Sequence, residues 1–148
     1  MTIGRGYPRY KGDGTFEMEP NVFHIQDIDV VESQQNQGYG KEFLLTAINM
    51  ARQEGFEFGR GYIINPTVVR LIERLREEAS VTDVVYHTAM HGEKPQMTTQ
   101  EILQSPERLT YQQAEAQVQI FSHEFNQAVA EGRDPDPNLI GVDCVIKL

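Results

Sequence analysis

The chain has 148 residues with 39% hydrophobic content, and its 13 basic and 22 acidic side chains give a formal net charge of −9. This charge argues against nucleic acid as a partner, because non-specific binding needs a basic face that displaces counterions. No apolar run approaches the roughly 20 residues of a membrane-spanning helix, and the first residues lack the apolar segment of a signal peptide. We therefore expect one cytoplasmic domain, residues 1–148, with no membrane partner. The single cysteine, Cys144, excludes an internal disulfide and a zinc framework, and we expect it to be a buried hydrophobe.

The first 32 residues are predicted to form a β-meander. Two short strands, 6–10 and 15–18, flank the turn residues 11–14. Glu19-Pro20-Asn21 predicts a second turn, after which residues 22–31 form a longer strand rich in Val and Ile.

A helical period begins after Gly38. Apolar residues recur at helical spacing over 39–53, and Gly55 is placed to cap that helix. Residues 59–64 are predicted to be a strand, Asn65-Pro66 to start a second helix, and 81–87 to return to strand. Alternating strands and helices imply a largely parallel arrangement with helices on its faces.

Residues 89–138 are predicted to be a helical insertion ahead of a final strand, 139–148. Thr98 and Thr110 each begin a capping-box pattern, and the second opens a helix to about residue 130. Its apolar stripe indicates packing on the sheet, with a coiled-coil seam between two copies, a homodimer, as the alternative. His87 and His91 have no third ligand nearby, so no metal site is predicted.

The segment 28–41, IDVVESQQNQGYGK, carries the most chemical information. A strand ends, a short polar loop follows, and two glycines one residue apart open a helix. Backbone N–H groups in such a loop point the same way, and the helix dipole adds partial positive charge, so the segment suits a diphosphate. Side chains at Gly38 and Gly40 would block the backbone from approaching the phosphates. Lys41 adds a cation.

This pattern, Gln35-x-x-Gly38-x-Gly40 after Val30-Val31, resembles motif A of the GNAT superfamily of N-acetyltransferases. Asn65 resembles the asparagine that opens that family's fourth helix, and the order of predicted elements is similar to the family's core. The resemblance implies an α/β fold with a mixed central sheet, splayed strands and flanking helices. Here the splay would lie between the strands 23–31 and 59–64.

The resemblance also implies a co-substrate, acetyl-CoA, and an amine acceptor on a small molecule or a protein. Backbone groups of Val30 and Val31 would pair with the pantetheine arm. The pyrophosphate would be held by the segment that we call the cradle, which consists of Gln35, Asn36, Gln37, Gly38, Tyr39, Gly40 and Lys41. Asn65 would complete the cofactor site.

The catalytic residues are less well defined. Counting from Asn65 puts Ile72 where the family has the tyrosine that acts as general acid. Three other tyrosines could take that role: Tyr39, Tyr62 and Tyr86. His24 takes the place of the family's general base, and Asp27 and Asp29 are alternatives on the other face of the same strand.

The family's first two helices, which shape the acceptor pocket, have no counterpart before Gly6. We expect the helix 111–130 to cover the sheet in their place. The alternative to an N-acetyltransferase is a non-catalytic module that binds acyl-CoA or a protein.

Overall fold

The computed structural model of the chain describes residues 2–27, 39–78, 80–90 and 94–148. Within these residues, six strands form one sheet in the order β1-β2-β3-β6-β4-β5. The elements in chain order are β1 Thr2–Tyr10, β2 Phe16–Asp27, α1 Tyr39–Gln53, β3 Phe58–Ile63, α2 Pro66–Glu77, β4 Asp83–Met90, α3 Thr99–Gln104, β5 Arg108–Leu109, α4 Tyr111–Ala130 and β6 Ile140–Lys147.

The sheet is mixed. β2 and β3 pair in parallel, whereas β6 runs antiparallel to both of its neighbours, β3 and β4. The expected α/β class is therefore confirmed: a mixed central sheet flanked by helices, with additional helices before the last strand. The largely parallel arrangement expected from the alternation of elements is wrong for most neighbouring pairs, because β6 inserts between β3 and β4.

The four described helices begin where local signals predicted, and α1 and α4 also end where predicted. Asn65 caps α2, and both capping boxes, at Thr98 and Thr110, are formed. Gly55 adopts a φ of +86° after α1, a backbone conformation that residues other than glycine rarely adopt. Each of these signals acts within one turn of chain, so it does not depend on the rest of the fold.

The predicted turn at Pro20 is wrong, because β2 continues through it. Arg5 pairs with Phe23 and Tyr7 with Glu19, so residues 20–22 bulge opposite Gly6. Proline fits there because it cannot donate a hydrogen bond to a regular ladder.

Two apolar layers cover the sheet. On one face, which we call the α2 face, α1, α2 and the first half of α4 pack over the strands. Cys144 is buried in this layer, as expected. On the other face, the α3 face, a smaller cluster joins α3 to β4 and β6. No helix among the described residues is long and apolar enough to cross a membrane.

Candidate functional site

The junction between β2 and β3 is where the predicted cofactor would bind. The parallel ladder covers three residue pairs, from Val22 and Phe58 to His24 and Arg60. Both strands continue beyond it, to Asp27 and Ile63. Carboxyl ends of neighbouring parallel strands form the usual ligand crevice of α/β folds.

Much of the predicted cofactor site falls outside the described residues, namely Val30, Val31, Gln35, Asn36, Gln37 and Gly38. Asp29 and His91 lie outside them as well. Tyr39, Gly40 and Lys41 form the first turn of α1. The roles of these residues stay predictions.

The structure does not bring Lys41 and Asn65 together. The Nζ atom of Lys41 donates to the Glu78 carboxylate, just past the last turn of α2. Asn65 caps the opposite end of α2, where its Oδ1 accepts from the backbone N–H of Thr67 at 2.9 Å. Because a helix rises about 1.5 Å per residue, the two ends of α2 are about 18 Å apart. In this arrangement, Lys41 and Asn65 could contact only widely separated parts of one extended ligand.

His24 lies on β2, paired in the ladder with Gly4 on one side and Arg60 on the other. Its ring meets the Tyr7 ring edge-on, with centroids 4.8 Å apart. Asp27, the other predicted catalytic residue, ends the same strand. His24 therefore sits on the α3 face, beside charged groups that the sequence did not associate with it.

A buried polar cluster occupies this face. The guanidinium of Arg60 has no exposed surface; it lies 3.1 Å from Asp143 Oδ2, 3.4 Å from Glu19 Oε2 and 4.2 Å from the centroid of the Tyr7 ring. Glu19 in turn accepts from the backbone N–H and the hydroxyl of Thr99 at 2.9 and 2.6 Å, which fastens α3 to the sheet.

Burial controls the acidity of the cluster. Loss of solvent raises the pKa of the Asp143 carboxyl, although Arg60 acts in the opposite direction. Burial, with the nearby Asp143 charge, raises the pKa of Tyr7 to about 12. Two buried atoms of the cluster, Arg60 Nε and Asp143 Oδ1, have no hydrogen-bond partner among the described residues. The same is true of the buried hydroxyl of Tyr62, also on β3.

Sequence reasoning missed this cluster as a unit. The available signal was a charged side chain in the middle of each of two apolar strands, Arg60 in FGRGYI and Asp143 in IGVDCVIK. Burying an unpaired charge is costly, so each implies a partner.

The proposed substitutes for the family's tyrosine differ in their surroundings. Ile72 itself is buried in the core. Burial raises the pKa values of both Tyr62 and Tyr86, and the Tyr86 hydroxyl lies 3.3 Å from the Glu73 carboxylate. Tyr62 is on β3, with its ring 5.7 Å from that of Phe121 on α4.

Comparisons with known proteins establish no family for this chain. It matches no protein-family profile, and no curated protein matches it in sequence. Among solved structures it is similar to a Bacillus subtilis acetyltransferase in complex with CoA, at 17% identity and a TM-score of 0.45, over 97% of this chain and 78% of the other. At this level of similarity, the comparison carries no conclusion about this chain's activity.

Proposed function

We propose that the chain is a GNAT-type N-acetyltransferase that transfers an acetyl group from acetyl-CoA to a primary amine. The observation that carries the proposal is the parallel pair β2 and β3, joined by α1. The ladder ends at His24 and Arg60 while both strands continue, and the carboxyl ends of such a pair are the usual ligand site of α/β folds. The cradle lies between β2 and α1 in the sequence.

The chain's own residues then have distinct tasks. Backbone N–H groups of the cradle bind the diphosphate, and the thioester of acetyl-CoA supplies the activated acyl group. His24, on the strand that leads into the cradle, takes the proton from the acceptor ammonium, directly or through a water. The net charge of −9 favours a cationic acceptor over an anionic one.

A second candidate is a module that binds acyl-CoA without catalysis. It is favoured by Ile72, a buried core residue at the position where the family has its general-acid tyrosine. A thiolate leaves tolerably well without an acid, so this position does not decide between the two functions.

The test begins with thermal unfolding in acetyl-CoA, CoA and pantetheine. A ligand at one hundred times its dissociation constant stabilises by about 2.7 kcal/mol, which raises Tm by roughly 5–11 °C for a chain of this size. Both CoA species should raise Tm, and pantetheine, which lacks the diphosphate, should raise it much less. No shift with either CoA species would refute the cofactor assignment, and Gly38→Trp should abolish the shift while retaining the fold.

Turnover separates the two candidates. CoA release is followed with a panel of primary amines, and His24→Ala is expected to lower kcat and flatten its pH profile. Binding without turnover on any amine favours the module, and unchanged kinetics in His24→Ala remove His24 from the mechanism.

A further inference from the structure

Away from the β2–β3 junction, a serine and a histidine form a hydrogen-bonded pair. The Ser105 hydroxyl lies 2.9 Å from Nε2 of His87. His87 is on β4 with 4% of its surface exposed, and Ser105 is the half-buried residue that directly follows α3. A nucleophile beside a base that a third group orients is the arrangement that activates serine in covalent catalysis.

The third group is a backbone carbonyl. Nδ1 of His87 lies 2.9 Å from the carbonyl oxygen of Thr88. A carbonyl oxygen can only accept, so Nδ1 carries the ring proton. In the neutral ring Nε2 is then the acceptor, and the Ser105 hydroxyl donates to it. This is the tautomer that a general base needs.

Charged groups of both signs lie beside His87 in the sheet. Asp143 lies directly opposite it in the β4–β6 ladder, and Asp143 Oδ1 has no hydrogen-bond partner in the described part of the chain. Two cations lie nearby: Arg108, the partner of His87 on β5, and Arg60, which pairs with Asp143.

The serine hydroxyl is also held in place. The backbone N–H of Glu107 donates to Ser105 Oγ at 3.1 Å. Together with the His87 contact, this bond fixes the oxygen just after α3, on a residue that is half-buried.

We propose that Ser105 is a nucleophile activated by His87, with reactivity toward activated acyl esters. Ser105 Oγ bonds to the acyl carbon while its proton moves to His87 Nε2. The ester C–O bond breaks, and the leaving alcohol takes that proton. A water then gives a proton to Nε2 and attacks the acyl carbon, and Oγ recovers the proton as its bond to the acyl group breaks. The net reaction is hydrolysis of the ester to an acid and an alcohol.

The first test labels the unmodified protein with a fluorophosphonate, which reacts covalently with activated serine hydroxyls. Peptide mass spectrometry should find the label on Ser105 and not on Ser122, a half-buried serine of α4 whose hydroxyl accepts from Asn126. Ser105→Ala should lose the label, and Ser122→Ala should keep it. Absence of label on Ser105, or equal labelling of both serines, overturns the proposal.

The second test measures the base directly and does not depend on the probe. Ser105→Cys and Ser122→Cys are alkylated with iodoacetamide across pH; Cys144 is buried and serves as a silent background. An imidazole beside the new thiol should move the midpoint of alkylation about one pH unit or more below the ordinary value of about 8.5, whereas Ser122→Cys should stay near it. Equal midpoints overturn the role of His87.

Discussion

Replacing Arg60 with methionine tests the energetics of the buried cluster. Methionine keeps an unbranched apolar side chain and removes the charged guanidinium. The change deletes the contacts with Asp143 at 3.1 Å and Glu19 at 3.4 Å, and the stacking on Tyr7 at 4.2 Å. It leaves the Asp143 carboxylate buried, with no counter-charge in hydrogen-bonding contact.

The expected loss is large. Removing one partner of a buried ion pair costs about 3–5 kcal/mol, since the remaining charge is uncompensated. For a chain of this size, that lowers Tm by roughly 6–20 °C. Arg70→Met is the matched control: its side chain is 48% exposed and lies 3.5 Å from Glu115, a surface pair worth about 0–1 kcal/mol.

The loss should also depend on pH. Burial raises the pKa of Asp143 above its unfolded value, and removal of Arg60 raises it further. The folded chain then holds more protons than the unfolded chain between those two pKa values, so stability falls as pH rises through that window. The penalty of Arg60→Met should therefore be larger at pH 7.5 than at pH 5.

The assay is urea unfolding followed by circular dichroism at both pH values, with slopes compared to verify two-state behaviour. Adding Asp143→Asn to Arg60→Met should recover part of the lost stability, because it removes the buried, uncompensated carboxylate. A loss no greater than that of Arg70→Met, or one that is identical at the two pH values, would refute the reasoning.

Two further predictions concern packing. In Gly61→Ala the new methyl group would lie 2.8 Å from the Ile25 carbonyl oxygen and force β2 away from β3, at a cost of about 1–3 kcal/mol. In the control Gly59→Ala the methyl group meets nothing closer than 3.7 Å, and the cost should be less than about 1 kcal/mol. Equal losses of stability in urea unfolding would contradict the close contact between β2 and β3 at Gly61. Phe121→Ala should cost about 3–5 kcal/mol of stability because the residue is 1% exposed. The control is Ile120→Ala: Ile120 is 60% exposed, and its loss should change stability by no more than about 0.5 kcal/mol. A small loss in Phe121→Ala would mean that Phe121 does not hold α4 in the core.

The sequence by itself determined the helices. The signals that begin and end the helices act through hydrogen bonds or backbone angles within a few residues, so they can be recognised without knowing the tertiary structure. They are Asn65-Pro66, Thr98, Thr110 and Gly55. Pro20 shows where local reasoning fails. Its turn signal was overruled by pairing with β1, and the chain accommodated it as a bulge.

Only the tertiary structure decided which charged groups meet. Alternation along β3 implies that Arg60 and Tyr62 share a face, but not which strand lies beside them. The insertion of β6 between β3 and β4 brings Asp143 to Arg60 from 83 positions away, and places it opposite His87. Strand order follows from burying both sheet faces at once, a long-range condition that no local pattern encodes.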